Sequence, residues 1–165
     1  MFINPKIGIQ EGWLKNVDEK NIQPNAIDIT ADQIWKVAQH DADITTKRHR
    51  NRNEVSIGDK GAWNLYQGVY DFASVSYVEV PEGMVGWLRT RSTLNRNGIL
   101  VHSGLYDSGF KGPICGMMYN MVGGNVYIMP GTPVAQFVIA RSDSEGIYSG
   151  GYNVAEGENW FNKKG

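Results

Sequence analysis

Gly68-Val69-Tyr70-Asp71-Phe72-Ala73-Ser74-Val75-Ser76-Tyr77-Val78-Glu79-Val80, closed by Pro81-Glu82-Gly83, is the stretch that decides the fold class. It is rich in β-branched and aromatic residues, which suit a pleated and half-buried surface, and it ends in a turn signal. Just beyond it, residues 84–90 read as the next strand. Working outward, residues 26–30 and 33–37 alternate in part, and 99–101, 114–121, 125–129 and 135–140 complete a set of strands. Gly123-Gly124-Asn125 and Pro130-Gly131-Thr132 are the turns between the last of them. The 20 glycines are scattered, as expected of short strands joined by tight turns. Helical periodicity is weak, and one short helix is expected at residues 12–17. The pattern predicts an all-β barrel or sandwich.

The 165 residues fit one domain with a real core. Net charge is -1, so no protein-wide basic field exists to attract nucleic acid or an anionic membrane. The basic cluster Lys47-Arg48-His49-Arg50-Asn51-Arg52 reads as a solvated loop. Cys115 is the sole cysteine and sits in an apolar run, so a buried thiol in a reducing compartment is expected. Neither a secretory leader nor a run of membrane-spanning length is visible, and a cytoplasmic location is the expectation. Residues 1–141 are expected to form the β domain. Residues 142–165 form a Gly-rich polar tail that nevertheless carries Tyr148, Tyr152, Trp160 and Phe161. Tails without a docking site rarely hold so many aromatic groups.

Three segments carry chemistry. Arg91-Ser92-Thr93-Leu94-Asn95-Arg96-Asn97-Gly98 places two guanidinium groups, two hydroxyls and two amides directly after a strand. That suits a polyphosphate cradle. It equally suits a helix start with Ser92 or Thr93 as N-cap and surface arginines. Gly104-Leu105-Tyr106-Asp107-Ser108-Gly109-Phe110-Lys111-Gly112 offers one carboxylate in a Gly-rich turn, followed by an aromatic. It can orient a water, but by spacing alone a simple turn capped by Asp107 is the better reading. In Pro130-Gly131-Thr132-Pro133-Val134-Ala135-Gln136-Phe137, a Gln inside a β run needs a partner if buried, either backbone or phosphate.

In order and spacing these segments resemble the dUTPase/dCTP deaminase family over nearly the whole chain. Asn21-Ile22-Gln23-Pro24-Asn25-Ala26-Ile27-Asp28 is similar to the opening I-Q-P-x-S-I-D of the deaminase branch. Val78 to Gly86 is similar to the strand and turn before the Arg-Ser motif, which Arg91-Ser92-Thr93-Leu94 matches. Tyr106-Asp107-Ser108-Gly109-Phe110-Lys111-Gly112 resembles the catalytic turn I-D-x-x-Y-x-G, and Pro130 to Gln136 the segment P-G-x-x-x-x-Q. Tyr148 to Gly157 resembles a deaminase-type tail. The resemblance implies a distorted β-barrel or jelly-roll-like dUTPase fold. It implies a homotrimer with shared sites and a C-terminal lid over a deoxynucleoside triphosphate.

The resemblance also separates two reactions. The deaminase branch uses a Glu in a segment like L-E-F-Y-N, and here Gly116-Met117-Met118-Tyr119-Asn120 puts Met117 at that place. A thioether cannot do acid–base work. The implied activity is therefore hydrolysis of dUTP to dUMP and pyrophosphate, with dCTP deamination or dCTP pyrophosphate release as the alternative. By resemblance Asp107 activates the attacking water. Arg91, Ser92, Thr93 and Gln136 hold phosphates, and Arg96 contacts phosphate or supports the trimer. Mg²⁺ is bound through the triphosphate rather than by protein ligands. Phe110 packs on the deoxyribose, while Ile114 and Asn120 bound a strand whose backbone reads the base. Tyr152 or Trp160 closes the lid. His102 stands nearest the uracil-pairing position, although a satisfied core histidine is its first reading. Asp28 reads as structural.

Overall fold

The computed structural model describes residues 1–46, 49–158 and 160–163. The chain opens with a helix, α1 (Pro5–Gln10), followed by β1 (Leu14–Lys15), β2 (Ile27–Thr30) and β3 (Gln33–Val37). Then come β4 (Arg52–Glu54), β5 (Trp63–Leu65), the long β6 (Gly68–Glu79), β7 (Met84–Thr90) and the short α2 (Ser92–Arg96). β8 (Ile99–His102), β9 (Lys111–Asn120), β10 (Val126–Ile128), β11 (Pro133–Arg141) and α3 (Trp160–Lys163) complete the order.

The strands build three sheets with antiparallel pairing. The largest runs β4-β3-β6-β9-β8 with β1 added to β6; the second runs β2-β11-β7, and β5 pairs with β10. Among the described residues no ring of strands closes, so the barrel expectation is corrected to an open, mostly β fold. The reason lies in β6 and β7. β6 shifts register against β9 between Ala73 and Tyr77. There Ser76 leaves the ladder, its N–H donating to Ser74 Oγ and its hydroxyl to the Asn16 carbonyl. β7 pairs with β11 rather than β6. It is tied to the large sheet through the Gly86–Tyr106 bridge and through side chains: Thr90 Oγ1 exchanges bonds with the Val101 backbone, and Ser103 Oγ accepts from Leu88 N–H.

Between the sheets lies one core that includes Ile27, Ile34, Phe72, Leu88, Ile114 and Phe137, all nearly inaccessible. The expected helix at residues 12–17 is not present. Trp13 and Leu14 are buried, Leu14 pairs with Val78, and Asn16 adopts φ 54°. The helix forms earlier, where Asn4 caps it by accepting from Lys6 N–H and Pro5 occupies its first turn. Among the described residues no helix is long and apolar enough to cross a membrane.

Candidate active site

The turn at Asp107 is built rigidly. Phe110 N–H donates to the Asp107 carbonyl, and Gly109 adopts φ 82°, the geometry of a type II turn. A Cβ at Gly109 would also collide with Ile147, so glycine is required twice over. Ser108 is buried, exchanging hydrogen bonds with the Met84 backbone and touching Ser144 Oγ. Tyr106 stacks edge-on against Phe110 and Phe137, and its hydroxyl bridges the N–H and carbonyl of Cys115. Burial holds that phenol well above its ordinary pKa, so it acts as a clamp and not as an acid. The Asp107 side chain is the part left out. It is exposed and, among the described residues, makes no hydrogen bond or ion pair. The self-capped turn that spacing alone favoured is therefore not what forms.

Tyr106 and Phe110 form one wall of a cavity of about 580 Å³. Its floor is the face of the large sheet bearing Cys115, Gly116 and Met117, and tail residues Tyr148, Tyr152, Trp160 and Phe161 roof it. Gly116 makes this floor possible. A Cβ there would meet Leu88, Phe72 and the His102 carbonyl at 2.5–3.0 Å. Cys115 lies in the floor with its thiol pushed up to about 12, by burial first and then by the nearby Asp71 carboxylate. It is neutral and unreactive there, as its apolar setting in the sequence suggested.

The tail is anchored along the same face. Tyr148 N–H donates to the Ser108 carbonyl, and Tyr148 packs on Phe110. Val154 accepts from the Tyr77 hydroxyl, Asn153 Oδ1 accepts from Lys111 N–H, and Glu156 meets Lys15 and Asn16. Glu79, bracketed by Lys15 and Lys111, is held below the usual carboxylate range by those two hydrogen bonds. Trp160 and Phe161 lie over the Arg52 guanidinium, and Phe161 stacks on Trp35.

The expected site residues divide into those that line the cavity and those that do not, and Asp107, exposed on the turn beside it, is among the latter. His102, Phe110, Tyr152 and Trp160 line the cavity. His102 is exposed, so the core-histidine reading is corrected: the alternation of β8 buries Ile99 and Val101 and turns Leu100 and His102 outward. Arg91, Ser92, Thr93 and Gln136 do not line it. Arg91 donates to the Asp28 carboxylate at 2.9 Å and to the Pro133 carbonyl, while Gln136 donates to the other Asp28 oxygen at 3.1 Å. Asp28 is thus a structural hub, and the half-buried Gln136 finds its partner in a carboxylate on the neighbouring strand. Ser92 and Thr93 are exposed in the first turn of α2, with Arg91 and not either hydroxyl at the N-cap. Arg96 is exposed at the end of α2. Ile114 is fully buried in the core, and the Asn120 amide is spent on the Leu65 and Gly124 carbonyls. Neither side chain is presented to a ligand.

Two residues had not been singled out. Asp71, on β6, lines the cavity and pairs with Arg52 from β4. Burial raises the Asp71 carboxyl, with Arg52 opposing. The basic cluster is therefore not wholly a solvated loop; its Lys47 and Arg48 lie outside the described residues. The available signal was Asp71 itself, a charge between Tyr70 and Phe72 in a strand buried on both faces, which requires a partner.

A family model described as dCTP deaminase-like matches residues 4–142. The chain belongs to the dCTP deaminase-like family. It is 30% identical over 142 residues to a probable deoxyuridine 5'-triphosphate nucleotidohydrolase of Halobacterium salinarum, covering 82% of this chain and 85% of that protein. It is also 30% identical over 139 residues to a dUMP-forming dCTP deaminase of Bifidobacterium animalis, covering 79% and 72%. Both relatives of this dCTP deaminase-like chain are enzymes, and so is this one. In fold it matches the 2'-deoxycytidine 5'-triphosphate deaminase of Agrobacterium tumefaciens with TM-score 0.65 at 13% identity, over 84% of this chain and 47% of that one. A mutant dUTPase from phage phi11 of S. aureus, described with a structural Mg(II) ion, matches with TM-score 0.52 at 16% identity, over 84% and 95%.

Proposed function

We propose that this enzyme is a dUTP nucleotidohydrolase, releasing dUMP and pyrophosphate with Mg²⁺ carried on the triphosphate. The observation that carries the reading is the unengaged Asp107 carboxylate, fixed on a rigid turn whose flanking aromatic residues wall an apolar cavity. A carboxylate without a structural task can accept a proton from a water attacking the α-phosphorus. Phe110 packs on the sugar, and the tail aromatics exclude bulk water. Met117 on the cavity floor gives no proton shuttle, which favours phosphate chemistry over deamination.

The phosphate-binding groups Arg91, Ser92, Thr93 and Gln136 lie off the cavity of their own chain. In the proposed homotrimer they complete the site of a neighbouring subunit. A second reading, action on dCTP, is supported by a relative of equal identity named as a dUMP-forming dCTP deaminase. Ion-exchange analysis of products from dUTP, dCTP, dTTP and UTP with Mg²⁺ separates the two. Conversion of dUTP alone to dUMP is expected; dUMP or dUTP formed from dCTP would replace the first reading with the second.

A further inference from the structure

The cavity floor holds one charged pair to which the hydrolytic scheme gives no role. Asp71 pairs directly with Met117 across β6 and β9, and Met117 with His102 across β9 and β8. Residues paired in this way project on one face of a sheet, so the three form a row, and all three line the cavity. The walls around them are largely apolar and aromatic.

Asp71 differs from the other buried carboxylate, Asp28. Both oxygens of Asp28 are engaged, one by Arg91 and one by Gln136. For Asp71, Oδ2 is taken by Arg52 Nε, and among the described residues Oδ1 accepts no side-chain hydrogen bond. Arg52 is itself held on several sides. It donates to the Arg50 carbonyl, and Trp160 and Phe161 lie 5.8 and 5.4 Å from its guanidinium carbon. A carboxylate positioned by a restrained arginine, with its second oxygen unengaged and not sealed from the cavity, is placed to act as a recognition group.

We propose that Asp71, held by Arg52, reads the base in this cavity: its free oxygen accepts a hydrogen bond from the ring N–H of uracil, and Arg52 supplies a donor for the adjacent carbonyl. The inference rests on the nucleotide reading given above. It carries a direction. Cytosine presents a lone pair at the same ring nitrogen, which a carboxylate repels, so Asp71 selects uracil over cytosine. An amide in its place can turn its N–H₂ toward that lone pair and relax the choice.

Binding of the non-hydrolysable α,β-imido analogues of dUTP and dCTP, followed by tryptophan fluorescence with Mg²⁺ present, tests this without turnover. Inorganic tripolyphosphate serves as the base-free control. The wild-type chain is expected to favour the uracil analogue by about tenfold or more, the scale set by leaving one buried polar group unpaired. Asp71→Asn is expected to bring the two analogues within about threefold of each other while tripolyphosphate binds as before. An unchanged preference in Asp71→Asn, or a wild-type chain that favours cytosine or neither base, overturns the proposal. Should Asp71→Asn fail to fold, the wild-type protein decides through N3-methylated α,β-imido-dUTP. Binding as tight as that of the unmethylated analogue overturns the proposal, and a loss of about tenfold upholds it. Absence of dUMP release from dUTP would remove the hydrolase reading and leave this comparison of bases intact.

Discussion

Asp107 and Asp28 show how differently two carboxylates in one chain can be surrounded. Asp107 is exposed and unengaged among the described residues, whereas Asp28 is 6% exposed and bonded through both oxygens. Replacing Asp107 by Asn keeps the shape of the turn, whose hydrogen bond uses the backbone. The expected outcome is a kcat on dUTP lower by roughly 10²–10⁴ with substrate affinity within a few-fold of wild type, the range that loss of a general base produces. Steady-state kinetics beside equilibrium binding checks it, and undiminished turnover would remove Asp107 from the mechanism. Asp28→Ala acts on stability instead. It strands the Arg91 guanidinium and the Gln136 amide, and a loss of about 3 kcal/mol is expected in urea unfolding at fixed protein concentration. A loss under ~0.5 kcal/mol, within the range of ordinary surface changes, would show that the hub is dispensable. The turn that carries Asp107 was legible in the sequence because it is built from neighbours adjacent in the chain. The Asp28–Gln136 bond joins residues 108 positions apart, and Asp71–Arg52 depends on β4, a three-residue strand with no apolar pattern. Such pairs emerge only when strand order is known.

Among the elements, the long strands were readable because alternation and turn residues acted together. Residues 33–37 and 84–90 match β3 and β7, and Pro81-Glu82-Gly83 does separate β6 from β7. β4 and β5 were missed because three residues cannot display a period. The helix expected at residues 12–17 lies instead at Pro5–Gln10, where the capping pair Asn4-Pro5 marks its start. The closed barrel failed for a related reason: strand patterns do not state which strand partners which, and β7 chooses β11. The tail aromatics do find surfaces, in the Arg52 guanidinium, Trp35 and Phe110. Apart from Val154, which is buried and accepts from the Tyr77 hydroxyl, the tail's anchors lie outside the core between the sheets. Truncation after Ser142 is therefore expected to leave a folded protein with a cooperative thermal transition and to lower dUTP turnover by roughly tenfold or more, because water enters the cavity. Loss of the cooperative transition in calorimetry would make the tail part of the fold and end its proposed service as a lid.

For the whole molecule, the central question is why the segment proposed to bind phosphate and the cavity occupy different places on one chain. Arg91, Ser92, Thr93 and Gln136 cluster around α2 and the β2-β11-β7 sheet, and the cavity lies on the large sheet under the tail. In a closed ring each subunit meets its neighbours through two different patches, so a group remote from its own cavity can serve the next one. That arrangement predicts complementation between damaged chains. One chain carries Asp107→Asn; the other carries Ser92→Ala with Thr93→Ala, chosen because those hydroxyls are exposed and hold nothing in the fold. Each alone is expected to be nearly inactive. After the two are denatured together and refolded in equal amounts, a site works when its Asp107 is intact and its neighbour's hydroxyls are intact. Random assembly satisfies both conditions in about a quarter of the sites, so turnover is expected to return to about a quarter of the wild-type value. If each site were built within one chain, every site in the mixture would keep one defect and no activity would return. A mixture that stays inactive, with sedimentation confirming that mixed trimers formed, would place all the working groups of a site in a single subunit.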